Sequence, residues 1–135
     1  MPAIEIAYET TTGLSYDDAI ARCREALTAE GFGVLTEIDI KATLKKKLDV
    51  DIEPHVILGA CHPPSAYKVL SAMPQVAVML PCNVTVEEAD GGALVRLVNP
   101  KEMMRIGGFE DNQSLAAVGA EAYERLLIVA DALRS

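Results

Sequence analysis

The most constraining feature of the sequence is a β-hairpin signal in its second half. Two segments rich in β-branched residues, VAVMLPCNVTVEE at 76–88 and ALVRLV at 93–98, flank an Asp-Gly turn at 89–92. Asp-Gly is the sequence typical of a tight turn, because glycine supplies the positive φ that such a turn requires. The hairpin favours a mainly antiparallel sheet. Pro81 in the first arm predicts that this strand lies at an edge or contains a bulge.

The C-terminal segment predicts a long amphipathic helix over about 114–133. Its apolar residues step by three or four positions and form one stripe that faces a core. The stripe consists of Leu115, Val118, Ala122, Leu126, Val129 and Leu133.

The rest of the chain predicts strands that alternate with shorter helices. In the first strand Ile4, Ile6 and Tyr8 share one face, which is typical of a half-buried strand. Ser15 can cap the first helix and Gly31 can end it. The predicted order is a strand at 3–10, a helix from Ser15 to Gly31, a strand at 32–38, a helix at 40–48, a strand at 55–61 and a helix at 64–72.

These elements predict a single domain over 1–135 of the α+β class. We expect two layers: a mainly antiparallel, curved sheet of about five strands, and helices packed on it. A domain of this size buries roughly two-thirds of its unfolded surface. Half of the residues are hydrophobic, with two Phe and no Trp, so the core must be aliphatic and needs no metal or disulfide.

The charge of the chain argues against a nucleic-acid partner. The net charge of −8 repels a phosphate backbone. The main basic cluster, Lys41 with Lys45, Lys46 and Lys47, falls on a short predicted helix and is expected to be a solvated surface.

The sequence also predicts a cytoplasmic location without membrane attachment. Acidic residues stand at the N-terminus where a signal peptide would be basic and then apolar. The apolar runs are shorter than a membrane span. The three cysteines form no Cys-x-x-Cys pair, which indicates reduced thiols.

The segment ILGACHPP at 57–64 carries the most reactive side chains, Cys61 and His62. Neighbouring residues on a strand point to opposite faces, so these two cannot form a catalytic Cys-His pair unless the strand has already ended. Cys61 precedes a predicted helix N-terminus, whose dipole can lower the pKa of a thiol. The alternative is a small, buried, unreactive cysteine at a tight turn.

Other chemistries fit this segment poorly. Pro63 and Pro64 remove two of the backbone N–H donors that a phosphate loop needs. A metal site would have to collect Cys61, His62 and Cys82, which have no metal-ligand spacing. We therefore predict no metal, no cofactor and no catalytic residue.

Four motifs, in order, resemble the signature of the domain of unknown function 302 family. They are EIDIKATLKKKL at 37–48, ILGACHPPSAYKVL at 57–70, MLPCNVTV at 79–86 and NPKEMM at 99–104. The resemblance spans roughly 3–133, nearly the whole chain.

The resemblance implies a TATA-binding-protein-like domain of one strand, one helix, four further strands and a final helix, assembled as a homodimer. It implies no activity, because none is established for the family. Cys61 and Cys82 occupy the positions of the family's cysteines, whereas His62 stands where Asn is more usual and Asn99 where Asp is common.

Two functions follow as hypotheses. The first is a non-enzymatic homodimer that binds a small apolar or mixed ligand between the sheet and the long helix. The second is a thiol-based relay of sulfur or redox equivalents, in which Cys61 acts with Cys82. The candidate residues are Cys61, His62, Cys82 and Asn83, although Asn83 also fits a purely structural role at a bulge.

The long helix also carries an apolar residue on its polar side. Ile128 lies beside Glu121, Glu124 and Asp131, on the face that should meet water. A two-fold interface would let such a patch bury itself. We therefore expect the homodimer to use the long helix, an exposed sheet edge, or both.

Overall fold

The computed structural model describes residues 5–134, which form a five-stranded antiparallel sheet with helices packed against it. The strand order is β1-β5-β4-β3-β2, and each neighbouring pair is antiparallel. The strands are β1 (Ala7–Thr12), β2 (Gly33–Asp39), β3 (His55–Cys61), β4 (Cys82–Ala89) and β5 (Gly92–Val98). The helices are α1 (Tyr16–Ala29), α2 (Ile40–Leu48), α3 (Pro63–Ala72), α4 (Pro100–Ile106) and α5 (Gln113–Leu133).

The α+β class and the expected order of strand, helix, four strands and final helix are confirmed, as are the predicted short helices α2 and α3, whereas α4 was not predicted. Local signals explain the helix ends. The Ser15 hydroxyl accepts a hydrogen bond from the Asp18 backbone N–H at the start of α1, and Gly31 ends that segment with a φ of 85°. Asn112, which the sequence analysis did not single out, caps α5 by accepting from the Leu115 backbone N–H.

The hairpin is present, but the prediction for its first arm was wrong. The strand begins at Cys82, and residues Pro74–Met79 form a 3-10 helix instead. For a short apolar run, periodicity alone cannot distinguish a strand from a helical segment. Val76 is fully buried whereas Val78 is 89% exposed, so the run packs one side against the protein as a helical turn does.

Pro81 does not mark an edge strand or a bulge in the hairpin. It lies directly before β4, and β4 pairs with β5 on one side and with β3 on the other. The proline is therefore tolerated because it stands outside the ladder, where no strand hydrogen bond is lost. The register shift occurs in β2 instead, between Val34 and Thr36.

The first strand begins later than predicted. Tyr8 packs against the core as expected, and Thr10 is buried, but Ile6 is 55% exposed because it precedes the strand. Ile4 lies outside the described residues.

The main core lies between the sheet and the helices α1 and α5. Cys23 belongs to it, as predicted, and its burial raises the pKa of its thiol to about 12. Five of the six stripe residues on α5 are buried as expected and Val118 is partly buried, while Ile128 is 52% exposed. The largest fully buried side chains of this core are those of Leu27, Leu58, Leu97, Leu126 and Leu133.

A second, smaller apolar cluster lies at the N-terminal half of α5. Its buried members are Val69, Val76, Met104 and Leu115, which come from α3, the 3-10 helix, α4 and α5. These short elements connect the strands at one end of the sheet and pack as a cluster separate from the main core. A space remains between the two clusters.

No residue of the lysine-rich helix α2 is buried, and Lys45, Lys46 and Lys47 are exposed, as predicted. Lys45 forms ion pairs with Asp49 and Asp51, and Lys41 donates a hydrogen bond to the Ile52 carbonyl. Within residues 5–134 no helix combines the length and apolar character needed to cross a bilayer.

Candidate functional site

A cavity of about 390 Å³ lies between the two apolar clusters. Its walls come from the ends of β3 and β4, from α3 and α4, and from the N-terminal half of α5. Cys61, His62 and Cys82 all line it. The structure thus brings three of the four candidate residues to one apolar space between the sheet and the long helix.

Small side chains create this space. Ala60 on β3, Ala66 on α3, and Gly119 and Ala122 on α5 all face the cavity. A methyl group on Gly119 would lie 3.2 Å from Cγ of Met104, so glycine lets α5 and α4 approach closely at the cavity wall. Protein interiors are normally close-packed, and large side chains at these four positions would fill the space.

The register shift in β2 shapes the mouth of the cavity. Val34 pairs with Ala60 and Thr36 pairs with Gly59, so Leu35 is an extra residue in the strand. Leu35 lines the cavity and is nevertheless 67% exposed, which places it at the opening. Bulges of this kind redirect side chains and occur often beside functional sites.

Gly59 on β3 lets Thr36 and Pro81, which form the cavity wall opposite α5, lie close to the strand. A methyl group there would overlap Oγ1 of Thr36 and lie 2.9 Å from Cγ of Pro81. Both Thr36 and Pro81 line the cavity. Any larger residue at position 59 would therefore displace two wall residues.

His62 stands where β3 ends and α3 begins. Its Nδ1 is 2.6 Å from the Ser65 hydroxyl, and its ring lies 5.4 Å from the ring of Phe32 at a tilt of 55°. Gly31, with its positive φ, allows this packing, because a methyl group there would lie 3.1 Å from Cδ2 of His62. The imidazole is therefore held by Ser65 on α3 and by Gly31 and Phe32 in the loop between α1 and β2.

The environment of His62 favours the neutral imidazole. Burial lowers its pKa, and the positive charges of Arg125 and Lys68 lower it further, against an opposing effect of Glu121. The pKa of His62 thus lies below the ordinary value of 6.5. Above that pH the ring is uncharged.

The two thiols of the site lie close together but are not equivalent. Ala60 pairs with Cys82 across the sheet, which places Cys61 next to that pair. Burial raises the pKa of the Cys82 thiol to about 11, with a smaller contribution from the negative charge that Cys61 would carry as a thiolate. Cys82 is consequently a protonated thiol near neutral pH.

The described residues contain neither a Cys-His pair nor a metal-ligand group. Nδ1 of His62 is engaged by Ser65 rather than by Cys61. No cluster of three or more His, Cys, Asp or Glu side chains in residues 5–134 is arranged to hold a metal ion.

Asn83, the fourth candidate, lies apart from the cavity. It follows Cys82 on β4, pairs with Gly59, and is exposed. Alternation along the strand turns it away from the face that buries Val84.

Asn99, which stands where the resemblance implied an Asp, caps α4. Its side-chain oxygen accepts hydrogen bonds from the backbone N–H groups of Lys101 and Glu102. Asn and Asp are comparable N-caps, so this departure preserves the local structure beside the cavity.

Sequence analysis missed several residues of the site. Ser65 and Phe32, which hold His62, belong to different elements and carry no recognisable motif. Gly119 offered a signal, since a glycine within a helix is costly unless a neighbour approaches closely. The clustering of small residues at 60, 66 and 122 becomes visible only in the fold.

Comparisons with known proteins agree with this architecture. The family model described as "Domain of unknown function DUF302" matches residues 8–133. The crystal structure of an uncharacterized conserved DUF302 protein from Bacillus stearothermophilus is 28% identical and superposes with a TM-score of 0.85. That match covers 96% of this chain and 98% of the other. No curated protein matches the chain. The family model spans nearly the whole sequence, and the chain therefore belongs to the domain of unknown function 302 family.

Proposed function

We propose that this protein is a non-enzymatic module that binds a small apolar or mixed ligand in the cavity between the sheet and α5. The observation that carries the proposal is the cavity itself: about 390 Å³, lined largely by apolar side chains and open beside Leu35. Pockets for small ligands have volumes of about 300–1,000 Å³ and are mostly apolar with a few polar groups. His62 and Ser65 would be those polar groups.

The physical basis of the proposal is the cost of an apolar void. Side chains that line an unfilled space lose dispersion contacts on that side. An apolar cavity of about 150 Å³ already binds benzene. A larger apolar cavity therefore gains more contact area from an apolar occupant, at about 25 cal/mol for each Å² removed from water.

Binding of the uncharged fluorescent probe N-phenyl-1-naphthylamine tests the proposal. Ala122→Leu places a larger side chain in the cavity, whereas Ala117→Leu makes the same change at an exposed position of α5. We expect the wild type and Ala117→Leu to bind the probe, and Ala122→Leu to bind at least about tenfold more weakly. Circular dichroism checks that each variant is folded, and Ala66→Leu repeats the test from α3. A wild type that binds no probe, or equal binding by all variants, would refute the proposal.

We also propose that the module acts as a homodimer. Support comes from Ile128, 52% exposed on α5, and from the edge strand β2, where Leu35 and Ile38 are 67% and 48% exposed. A two-fold interface would bury either surface against its own copy. Sedimentation at micromolar concentration should give twice the 14.5 kDa chain mass. Ile128→Glu should weaken the dimer more than Glu124→Lys, and a single monomeric species in the wild type would contradict the proposal.

A second candidate function is the thiol relay through Cys61 and Cys82. It is supported by the observation that both thiols line the same cavity. It is opposed by burial, which raises the pKa of Cys82 to about 11 and so depletes its reactive thiolate near neutral pH.

Iodoacetamide labelling from pH 6 to pH 10, read by mass spectrometry of peptides, distinguishes the two functions. The ligand-binding function predicts that Cys82 stays unlabelled near pH 7 and that its rate rises about tenfold per pH unit. Fast labelling of Cys82 near pH 7 would favour the relay. A Cys61 that is unreactive at every pH in the folded protein would eliminate it.

A further inference from the structure

The walls of the cavity restrict the charge of its occupant. No Asp, Glu, Lys or Arg is among the described residues that line it. An ion transferred into such a space would lose its hydration without gaining a partner of opposite charge, and this cost is large. The chemistry of the walls therefore selects against carboxylates, phosphates and ammonium groups.

The charged groups nearest to the site do not change this conclusion. Arg125, Lys68 and Glu121 act on His62 electrostatically, but none of them lines the cavity. Arg125 instead donates to the Glu30 carbonyl and pairs with Glu121. Two of its guanidinium nitrogens are thus engaged by neighbours outside the cavity, whereas its buried Nε has no hydrogen-bond partner among the described residues.

One polar group at the cavity wall has an unused hydrogen-bonding position. Nδ1 of His62 is paired with the Ser65 hydroxyl, while Nε2 makes no hydrogen bond within residues 5–134. A methyl group on Gly31 would lie 3.2 Å from Nε2, so this edge of the half-buried ring lies beside the exposed Gly31 in the loop between α1 and β2. A ligand atom near Nε2 would therefore sit at the rim, with the rest of the ligand in the apolar interior.

The tautomer of His62 decides whether Nε2 donates or accepts. If the Ser65 hydroxyl donates to Nδ1, Nε2 carries the proton and donates; in the other tautomer Nε2 accepts. A hydroxyl group on the ligand can both donate and accept, so it fits either case. A carbonyl or an ether oxygen fits only one.

The volume sets the length of the apolar part. If about 150 Å³ accommodates a benzene ring, about 390 Å³ accommodates roughly 15 non-hydrogen atoms. A single unbranched chain of about ten to fifteen carbons therefore fits the volume of the cavity. Leu35 at the opening would let a longer chain extend into solvent.

We propose that the cavity binds an uncharged, single-chain amphiphile of the long-chain alcohol class, with the chain in the cavity and the hydroxyl group on Nε2 of His62. This inference rests on the proposed ligand-binding function and narrows it to one chemical class. It assigns His62 a binding role at the rim and gives the two thiols the role of apolar wall.

Competition against bound N-phenyl-1-naphthylamine at pH 8 tests the ligand class. The competitors are 1-decanol below its solubility limit, and decanoate and decyltrimethylammonium below their micelle concentrations. We expect 1-decanol to displace the probe at a concentration at least about tenfold lower than either ion requires. Decanoate or the ammonium ion competing as well as 1-decanol would overturn the inference while leaving the proposed function intact. Failure of the probe itself to bind would refute the proposed function.

His62→Phe tests the position of the hydroxyl group. Phenylalanine keeps an aromatic ring beside Phe32 and removes the hydrogen bond to the ligand. We expect the affinity for 1-decanol to fall about three- to tenfold more than the affinity for the probe, which makes no hydrogen bond to His62 in this account. His55→Phe is the matched control, because His55 lies on β3 but does not line the cavity. An unchanged affinity of His62→Phe for 1-decanol, or an equal loss in both variants, would overturn the assignment.

Discussion

The two halves of α5 face different surroundings, although one amphipathic stripe runs along both. The C-terminal half presents Leu126, Val129 and Leu133 to the main core, where all three are almost completely buried. The N-terminal half presents Gly119 and Ala122 to the cavity. The helix is therefore structural at one end and forms the wall of a candidate binding site at the other.

This difference separates scaffold from site. The main core is filled by large aliphatic side chains, as expected of a close-packed interior. The cavity combines small side chains with His62, Ser65 and two thiols. A site that must admit a ligand needs unfilled volume, and the closed core beside it holds the walls in place.

The largest expected effect on stability comes from shortening one leucine in the main core and one leucine at the cavity. Leu126→Ala removes a fully packed side chain from the main core and should lower the free energy of unfolding by about 2–5 kcal/mol. Leu70→Ala removes a half-buried side chain that already borders the cavity, and should cost less than half as much. Urea unfolding followed by circular dichroism measures both changes. Equal losses would mean that the two regions are equally well packed.

A smaller effect is expected from enlarging an alanine on each side. Ala130 is fully buried in the main core, so Ala130→Leu should destabilise the protein by about 1–3 kcal/mol through overpacking. Ala122→Leu points into the cavity and should change stability by less than about 1 kcal/mol, or raise it. Thermal unfolding of the two variants provides the comparison. Stronger destabilisation by Ala122→Leu than by Ala130→Leu would contradict the existence of free volume at α5.

The smallest effect concerns the pH dependence of stability. The pKa of His62 is lowered in the folded state, mainly by burial, relative to the ordinary value of 6.5. The neutral form of His62 therefore makes its full contribution to the free energy of unfolding above pH 6.5. This contribution is lost as the pH falls through the pKa of His62 in the folded state. Urea midpoints of the wild type should decline on acidification below pH 6.5 more steeply than those of His62→Gln.

The other histidine provides the control for this measurement. His55 lies outside the cavity, 4.0 Å from the Glu87 carboxylate. Identical pH profiles for the wild type and His62→Gln, with a change only in His55→Gln, would show that protonation of His62 is not linked to folding.

Most of the fold could be predicted from the sequence, because its signals are local. Residue periodicity identified α5, caps identified α1, and the Asp-Gly turn identified the hairpin. The first hairpin arm was misassigned because residues 76–81 are a short apolar run that periodicity alone cannot resolve. The position of β4 inside the sheet depends on strand order, which no local signal specifies.

The site was predictable only in part, because it is assembled from distant segments. The proposed location between the sheet and the long helix coincides with the cavity, and Cys61, His62 and Cys82 line it. The free volume arises from small residues on β3, α3 and α5, whose clustering requires the tertiary structure. Asn83 was selected because it follows Cys82 in the sequence, and strand alternation turns such a neighbour to the other face.

Methyl resonances of the two regions test the central claim most directly. The probe is 1-decanol, added to protein with labelled Val and Leu methyl groups and followed by ¹H–¹³C correlation spectra. We predict large, saturable shifts for Val69, Leu70 and Val118, which line the cavity, and only small shifts for Leu126 and Val129 in the closed core. Unchanged spectra at saturating 1-decanol, or shifts of equal size in both regions, would contradict the claim that the cavity is the binding site.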